Sequence, residues 1–116
     1  IKGCHTMTIV TESTETATIV SLQGQINSTN AVATEAQVLT LVDAGARHLL
    51  LDFSALEYIS SAGLRMVLVL AKRLKQESGL LVLCGMRPHV REVFDVSGFL
   101  AILNLEPDRE AALKRF

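Results

Sequence analysis

The chain has 116 residues, of which 49% are hydrophobic and 20% are charged, a size and composition that fit one compact domain and exclude a second core. Eleven lysines and arginines against twelve acidic residues give a formal net charge of -1, which excludes a broad basic surface for a nucleic-acid backbone. The mean hydropathy is high at +0.36, but the apolar runs are far shorter than the roughly 20 residues that cross a bilayer.

The start of the chain precedes the first regular pattern, which begins at Met7. We interpret residues 1–6 as an added remnant ahead of a natural start at Met7, and residues 7–116 as a single domain. Polar residues interrupt this region every few positions, so a secretory signal is not indicated and the cytoplasm is the expected location. Cys4 and Cys84 lie in no metal-ligand or Cys-x-x-Cys spacing, and no metal or other cofactor is expected.

The first half of the chain predicts three strands and one helix. Residues 7–12 and 16–22 are rich in Thr, Val and Ile and predict two adjacent strands joined by a short turn. Good helix formers over residues 31–44 follow a polar capping segment and predict the first helix. The apolar segment 48–53 is typical of a strand that is covered on both faces.

The second half alternates helices with strands. Residues 61–77 predict a helix, 80–84 a buried strand, 89–97 a short helix, 100–105 an edge strand and 107–115 a last helix. Alternation of this kind implies right-handed crossovers. The predicted fold is therefore α/β, with a mixed, largely parallel sheet of four to five strands and four helices.

Two residues at predicted strand ends are the candidates for enzyme chemistry. Cys84 precedes a loop that contains glycine, but no arginine stands at the Cys-x5-Arg spacing of a phosphatase. Asp52 ends the third strand, where a receiver domain accepts phosphate, but no carboxylate pair follows the first strand to hold Mg²⁺. We interpret Cys84 as a core thiol and Asp52 as a residue that orients a loop or cap, and we expect no enzymatic activity. A small hydrolase or phosphotransfer enzyme using either residue is the alternative.

Two neighbouring hydroxyls, those of Ser60 and Ser61, lie where the predicted helix 61–77 begins. On a structural interpretation, Ser60 caps the helix and Ser61 is its first residue. On a functional interpretation, one hydroxyl is accessible beside a surface that binds a partner. The sequence alone leaves both interpretations open.

The pattern of residues along this helix bears on the choice between them. At about 3.6 residues per turn, one face is expected to point to the core and holds Leu64, Val67, Leu68, Ala71 and Leu74. The opposite face holds Ala62, Arg65, Met66, Val69, Lys72 and Arg73. An exposed apolar strip with basic flanks beside Ser61 favours a partner interface, unless later elements of the fold cover it.

Several segments together resemble a known family. The second strand ends in Leu22-Gln23-Gly24-Gln25-Ile26-Asn27, and the buried strand 49–53 is followed by Tyr58-Ile59-Ser60-Ser61-Ala62-Gly63-Leu64-Arg65. This order and spacing resemble the STAS domains, named for sulphate transporters and anti-sigma factor antagonists, in the bacterial antagonist branch. The chain departs from the family pattern at two positions, because Ser60 replaces the usual Asp and Ala62 the usual second Ser or Thr.

The resemblance implies a switch controlled by phosphorylation. It implies that the unmodified domain binds an anti-sigma factor that is also a serine kinase with an ATP-binding kinase-type fold, and that a metal-dependent serine phosphatase resets the switch. By position the phosphorylated residue is Ser61, with Ser60 as the weaker candidate. The residues expected to bind the partner are Asn27, Ser60, Ala62, Arg65, Met66 and Val69. No nucleic-acid or membrane partner is expected. The alternative is a STAS scaffold or regulatory module that binds a protein or small ligand without being phosphorylated.

Overall fold

A computed structural model describes residues 7–116 and shows one six-stranded sheet with helices on both faces. The strands are β1 (Met7–Ser13), β2 (Thr18–Ile26), β3 (His48–Asp52), β4 (Leu56–Ile59), β5 (Leu80–Cys84) and β6 (Asn104–Glu106). The helices are α1 (Ala31–Asp43), α2 (Ser61–Gln76), α3 (Pro88–Val96) and α4 (Arg109–Leu113), with a 3-10 helix at Phe99–Ile102. The predicted α/β fold with a largely parallel sheet and four helices is confirmed, with six strands in place of four to five. The remnant expected at residues 1–6 lies outside the described residues.

The sheet has the order β1-β2-β3-β5-β6, and β4 also pairs with β2. Among the strands of residues 7–116, only the β1–β2 pair is antiparallel. The first part of β2, residues 18–21, pairs with β3, and residues 24–26 pair with β4, with a register shift between Gly24 and Gln25. Gly24 has a φ of 100° and donates its N–H to the carbonyl of Ala55 at 3.0 Å. A side chain disfavours this backbone conformation, so glycine allows β2 to change partners there.

Alternate residues of each central strand pack into two separate clusters, as the two-residue period of a strand requires. The larger cluster lies between the sheet and helices α1, α2 and α3, and includes Leu49 and Leu51. The smaller one lies on the opposite face under α4 and includes Leu50 and Cys84. Over the described range 7–116, no helix has both the length and the apolar character needed to span a membrane.

Two segments differ from the sequence prediction. The strand β4 was not predicted, because its burial pattern places only the two end residues, Leu56 and Ile59, in the core. The edge strand predicted over residues 100–105 is instead the 3-10 helix followed by the short strand β6. Gly98, in the left-handed region with a φ of 78°, turns the chain from α3 directly into that 3-10 helix.

Candidate functional site

Ser60 holds the junction between β4 and α2. Its backbone is extended, with φ -89° and ψ 175°, and its N–H donates to the carbonyl of Ile26 at 2.8 Å. Its hydroxyl oxygen accepts a hydrogen bond from the N–H of Gly63 at 3.3 Å. Ser60 is therefore the N-cap of α2, which confirms the structural interpretation of this residue.

Ser61 is the first residue of α2, and its side chain is exposed. Among the hydrogen bonds of residues 7–116, none engages the Ser61 hydroxyl. The two neighbouring serines thus have different roles in the fold. The hydroxyl of Ser60 is bound within its own helix, whereas that of Ser61 is open to an incoming molecule.

The loop around Asn27 and the serine turn both follow the carboxyl ends of neighbouring strands. Ile26 and Ile59 are paired at the ends of the parallel strands β2 and β4, so the residues that follow them are neighbours. The Asn27 side-chain carbonyl accepts hydrogen bonds from the N–H groups of Thr29 at 2.9 Å and Asn30 at 3.1 Å. These bonds hold the loop in a fixed turn, and the structure places it beside the serine turn.

Gly63 sets the rotation of α2 against the sheet. A Cβ atom at Gly63 would lie 2.5 Å from Cγ1 of Ile59 and 2.8 Å from Cγ2 of Ile26. This close approach turns the helix so that Met66 and Leu70 face the core, with exposed fractions of 1% and 0%. The expectation that Met66 is exposed and binds a partner is therefore wrong, because its side chain is part of the core.

The outer face of α2 differs accordingly from the predicted face. Arg65 is exposed, Val69 is 37% exposed, and Ala62 is half-buried against the core. Arg73 is engaged by Asp43 at 2.5 Å and by Glu77 at 3.2 Å. The apolar strip beside Ser61 is therefore narrower than predicted, and it consists of Ala62 and Val69 with Arg65 between them.

Sequence reasoning missed a second apolar region on the other flank of α2. Leu68 and Ala71, predicted to be in the core, are only half-buried and line a depression next to Ile102, which is 69% exposed. Tyr58, two residues before Ser60, is 49% exposed. The apolar run 100–105 contains Ile102 and is the sequence signal for this apolar region, but the sequence analysis predicts an edge strand there.

Asp52 and Cys84 lie at the carboxyl ends of neighbouring strands, β3 and β5. The carboxylate of Asp52 accepts the N–H of Ser54 at 2.9 Å and pairs with Arg109 at 2.6 Å. Burial raises the pKa of Asp52, but the bonds from Ser54 and Arg109 outweigh burial and hold it below its usual value. The predicted loop-orienting role of Asp52 is confirmed.

Burial, together with the nearby charge of Asp52, raises the pKa of the Cys84 thiol to about 12. A thiol of this kind stays protonated at neutral pH and lacks the thiolate that a nucleophile needs. Within the described range, moreover, His, Cys, Asp and Glu side chains form no group of three or more that suits a metal ion. The carboxylate of Asp52 is used instead in contacts within the fold, with Ser54 and Arg109.

Comparisons with known proteins agree on one family. A sequence profile described as the STAS domain matches residues 8–112. BtrV of Bordetella bronchiseptica, named as a candidate anti-sigma factor antagonist, is 54% identical over 98 residues, which cover 84% of each chain.

Solved structures share the fold. An anti-sigma factor antagonist from Mycobacterium paratuberculosis has a TM-score of 0.87 at 24% identity, covering 99% of this chain and 97% of that chain. SpoIIAA, an anti-sigma factor antagonist solved in its unphosphorylated form, has a TM-score of 0.79 at 24% identity, covering 93% of this chain and 95% of that chain. The phosphorylated form of SpoIIAA, a Bacillus cell fate determinant, has a TM-score of 0.72.

Proposed function

The chain belongs to the STAS domain family, among the anti-sigma factor antagonists, and we propose that phosphorylation of Ser61 controls its binding to a serine-kinase anti-sigma factor. The unphosphorylated form binds this partner in the cytoplasm and releases the sigma factor that the partner holds. The observation that supports this proposal is the exposed hydroxyl of Ser61 at the start of α2, next to the Asn27 loop.

The proposed docking surface consists of the loop at Asn27 and the outer residues of the first turns of α2. It includes Ser60, the N-cap of α2, and the helix residues Ser61, Ala62, Arg65 and Val69. Arg65 supplies a charge, and Ala62 and Val69 supply apolar contact. In this role residues 7–116 act as one domain, a regulatory binding protein without catalytic residues of its own.

Phosphorylation changes the charge of this surface much more than it changes the fold. A phosphate on Ser61 adds about -1.5 to -2 charges at neutral pH. The start of a helix carries a partial positive charge and tolerates an anion, and Arg65 lies one turn further along α2. The modified domain therefore stays folded, while the bulk and charge of the phosphate prevent docking. A metal-dependent serine phosphatase restores the binding form.

The phosphorylation site is tested by incubating the protein with the purified partner kinase and ATP and mapping the phosphate by mass spectrometry. We expect phosphate on Ser61, its loss in Ser61→Ala and its persistence in Ser60→Ala. A phosphate that persists in Ser61→Ala and vanishes in Ser60→Ala contradicts the assignment. Binding without phosphate on either serine supports the alternative of a STAS scaffold.

The binding switch is tested by titrating the kinase with two variants of similar shape. Ser61→Asp adds a charge and is expected to weaken binding at least tenfold, whereas Ser61→Asn is nearly isosteric, uncharged and expected to bind almost normally. Because Ser61 is exposed, both variants should keep the thermal transition of the wild type within a few degrees. Unfolding of Ser61→Asp, or equal loss of binding in both variants, contradicts a local electrostatic block.

A further inference from the structure

A groove runs along one flank of α2, between this helix and the 3-10 helix Phe99–Ile102. We name it the α2 groove. Leu68 and Ala71 of α2 form one wall, and Phe99 and Ile102 form the other. It consists of two adjoining depressions of about 240 Å³ and 410 Å³, which share Leu68. The smaller depression also includes Ser61, so the groove begins at the proposed phosphorylation site.

The lining of the groove is apolar and incompletely covered. Ile102 is 69% exposed, and Leu68, Ala71 and Phe99 are only half-buried. Covering these side chains would gain free energy in proportion to the apolar area removed from water. A contiguous apolar surface of this kind marks an interaction site more often than scattered exposed residues do.

The rim of the groove on α2 is positively charged. Arg65, Lys72 and Lys75 are exposed, and within residues 7–116 none of the three forms an ion pair. Four other cations of the described chain are paired with carboxylates, namely Arg47, Arg73, Arg109 and Arg115. Because the whole chain has a net charge of -1, these three unpaired cations along one helix make the rim of the groove locally positive.

We propose that the α2 groove binds an acidic amphipathic helix of the anti-sigma partner, with its apolar face on Leu68 and Ile102 and its carboxylates facing Arg65, Lys72 and Lys75. The inference rests on the proposed function, because the same partner supplies the helix. A helix suits the groove better than a strand. Both walls are helical and offer no sheet edge, so a strand would leave backbone groups unpaired, whereas a helix satisfies its own.

The length of the groove sets the length of the occupant. From Ser61 to Lys75, α2 rises about 21 Å, so the occupant needs about four turns. Its end beside Ser61 would bring a carboxylate close to that hydroxyl. A phosphate there would repel the carboxylate and compete for Arg65, which links occupation of the groove to the state of the switch.

The chemistry of the groove is tested with two synthetic helical peptides of about four turns. Both have leucines at i, i+4, i+7 and i+11, and their flanking residues are glutamates in one peptide and lysines in the other. In an amide NMR titration of the full chain, we expect the acidic peptide to shift the signals of Leu68, Ala71 and Ile102 and to bind at least tenfold more tightly. Equal binding of both peptides, or shifts confined to other surfaces, overturns the proposal.

The occupant is tested with the purified partner kinase and matched variants. Ile102→Glu and Lys72→Glu should each weaken binding about tenfold. The controls are Val10→Glu at a 42% exposed position of β1 and Lys114→Glu on the face covered by α4, and both should bind as the wild type does. All four replaced side chains are exposed, so thermal melts should show retained folding.

The outcomes separate this inference from the proposed function. If both groove variants bind the kinase normally while Ser61→Asp does not, the groove inference is wrong and the proposed function stands. If the wild type fails to bind the kinase, the proposed function is wrong, and so is the partner helix as the occupant. In that case a preference for the acidic peptide would show only the chemistry of the groove.

Discussion

Replacing Gly63 by alanine tests whether close contact with the sheet fixes the rotation of α2. The added methyl would overlap Cγ1 of Ile59 at 2.5 Å and Cγ2 of Ile26 at 2.8 Å. Adding one methyl to a packed core lowers the free energy of unfolding by about 1–3 kcal/mol. The higher helix propensity of alanine offsets up to about 1 kcal/mol of this loss. We therefore expect Gly63→Ala to lower the free energy of unfolding by about 1–2 kcal/mol, which corresponds to a Tm lower by roughly 4–8 °C.

Urea denaturation followed by circular dichroism measures this loss, and a double-mutant cycle assigns its cause. Ile59→Ala alone opens a cavity and should cost about 2–5 kcal/mol. Together with Gly63→Ala it should cost at least about 1 kcal/mol less than the sum of the two, because the new methyl fills part of that cavity. The control Ala62→Gly measures the propensity difference one residue away. An unchanged stability of Gly63→Ala, or strict additivity in the cycle, would refute the proposed role of Gly63.

Three further predictions concern the core and the buried polar groups. The contacts that lower the pKa of Asp52 stabilise the folded protein at pH values above about 3.9, the pKa of Asp in the unfolded chain. This stabilisation is lost as the pH falls through the lower pKa that Asp52 has in the folded protein. In pH-dependent urea titrations, Asp52→Asn should therefore lose about 2 kcal/mol near neutral pH and less on acidification, whereas a parallel acid profile would contradict the ion pair. Met66→Ala should cost about 2–5 kcal/mol and Val69→Ala less than about 0.5 kcal/mol, and equal losses in the same assay would place Met66 outside the core. In peptide mapping after alkylation at neutral pH, Cys84 should stay unmodified in the folded protein and react in denaturant, since its thiol is buried and protonated.

The order of the elements and the location of the serine turn could be predicted from local signals. The apolar run 80–84 has the length of a strand and follows a glycine, and serines are typical residues at the start of a helix such as α2. The strand β4 could not be predicted in the same way. It depends on pairing with residues 24–26 of β2, a contact between segments that are distant in the sequence.

The error in the face of α2 has a specific physical cause. A periodicity argument weighs large apolar side chains, so it gave Gly63 no weight and centred the core face on Leu64, Leu68 and Ala71. In the structure the residue without a side chain makes the closest approach to the sheet, and this approach turns Met66 inward and Leu68 outward. Packing against Ile26 and Ile59 therefore overrides the pattern that side-chain size alone predicts.

The different surroundings of Ser60 and Ser61 bear on how sequence changes at this turn would be tolerated. Ser60 caps the helix by accepting a hydrogen bond from Gly63, so a replacement there affects the stability of the fold. Residue 61 contributes nothing comparable to folding, so its replacement leaves an intact but altered surface. Two adjacent serines thus differ in what a substitution changes: at residue 60 it changes the start of a helix, and at residue 61 it changes only the exposed surface.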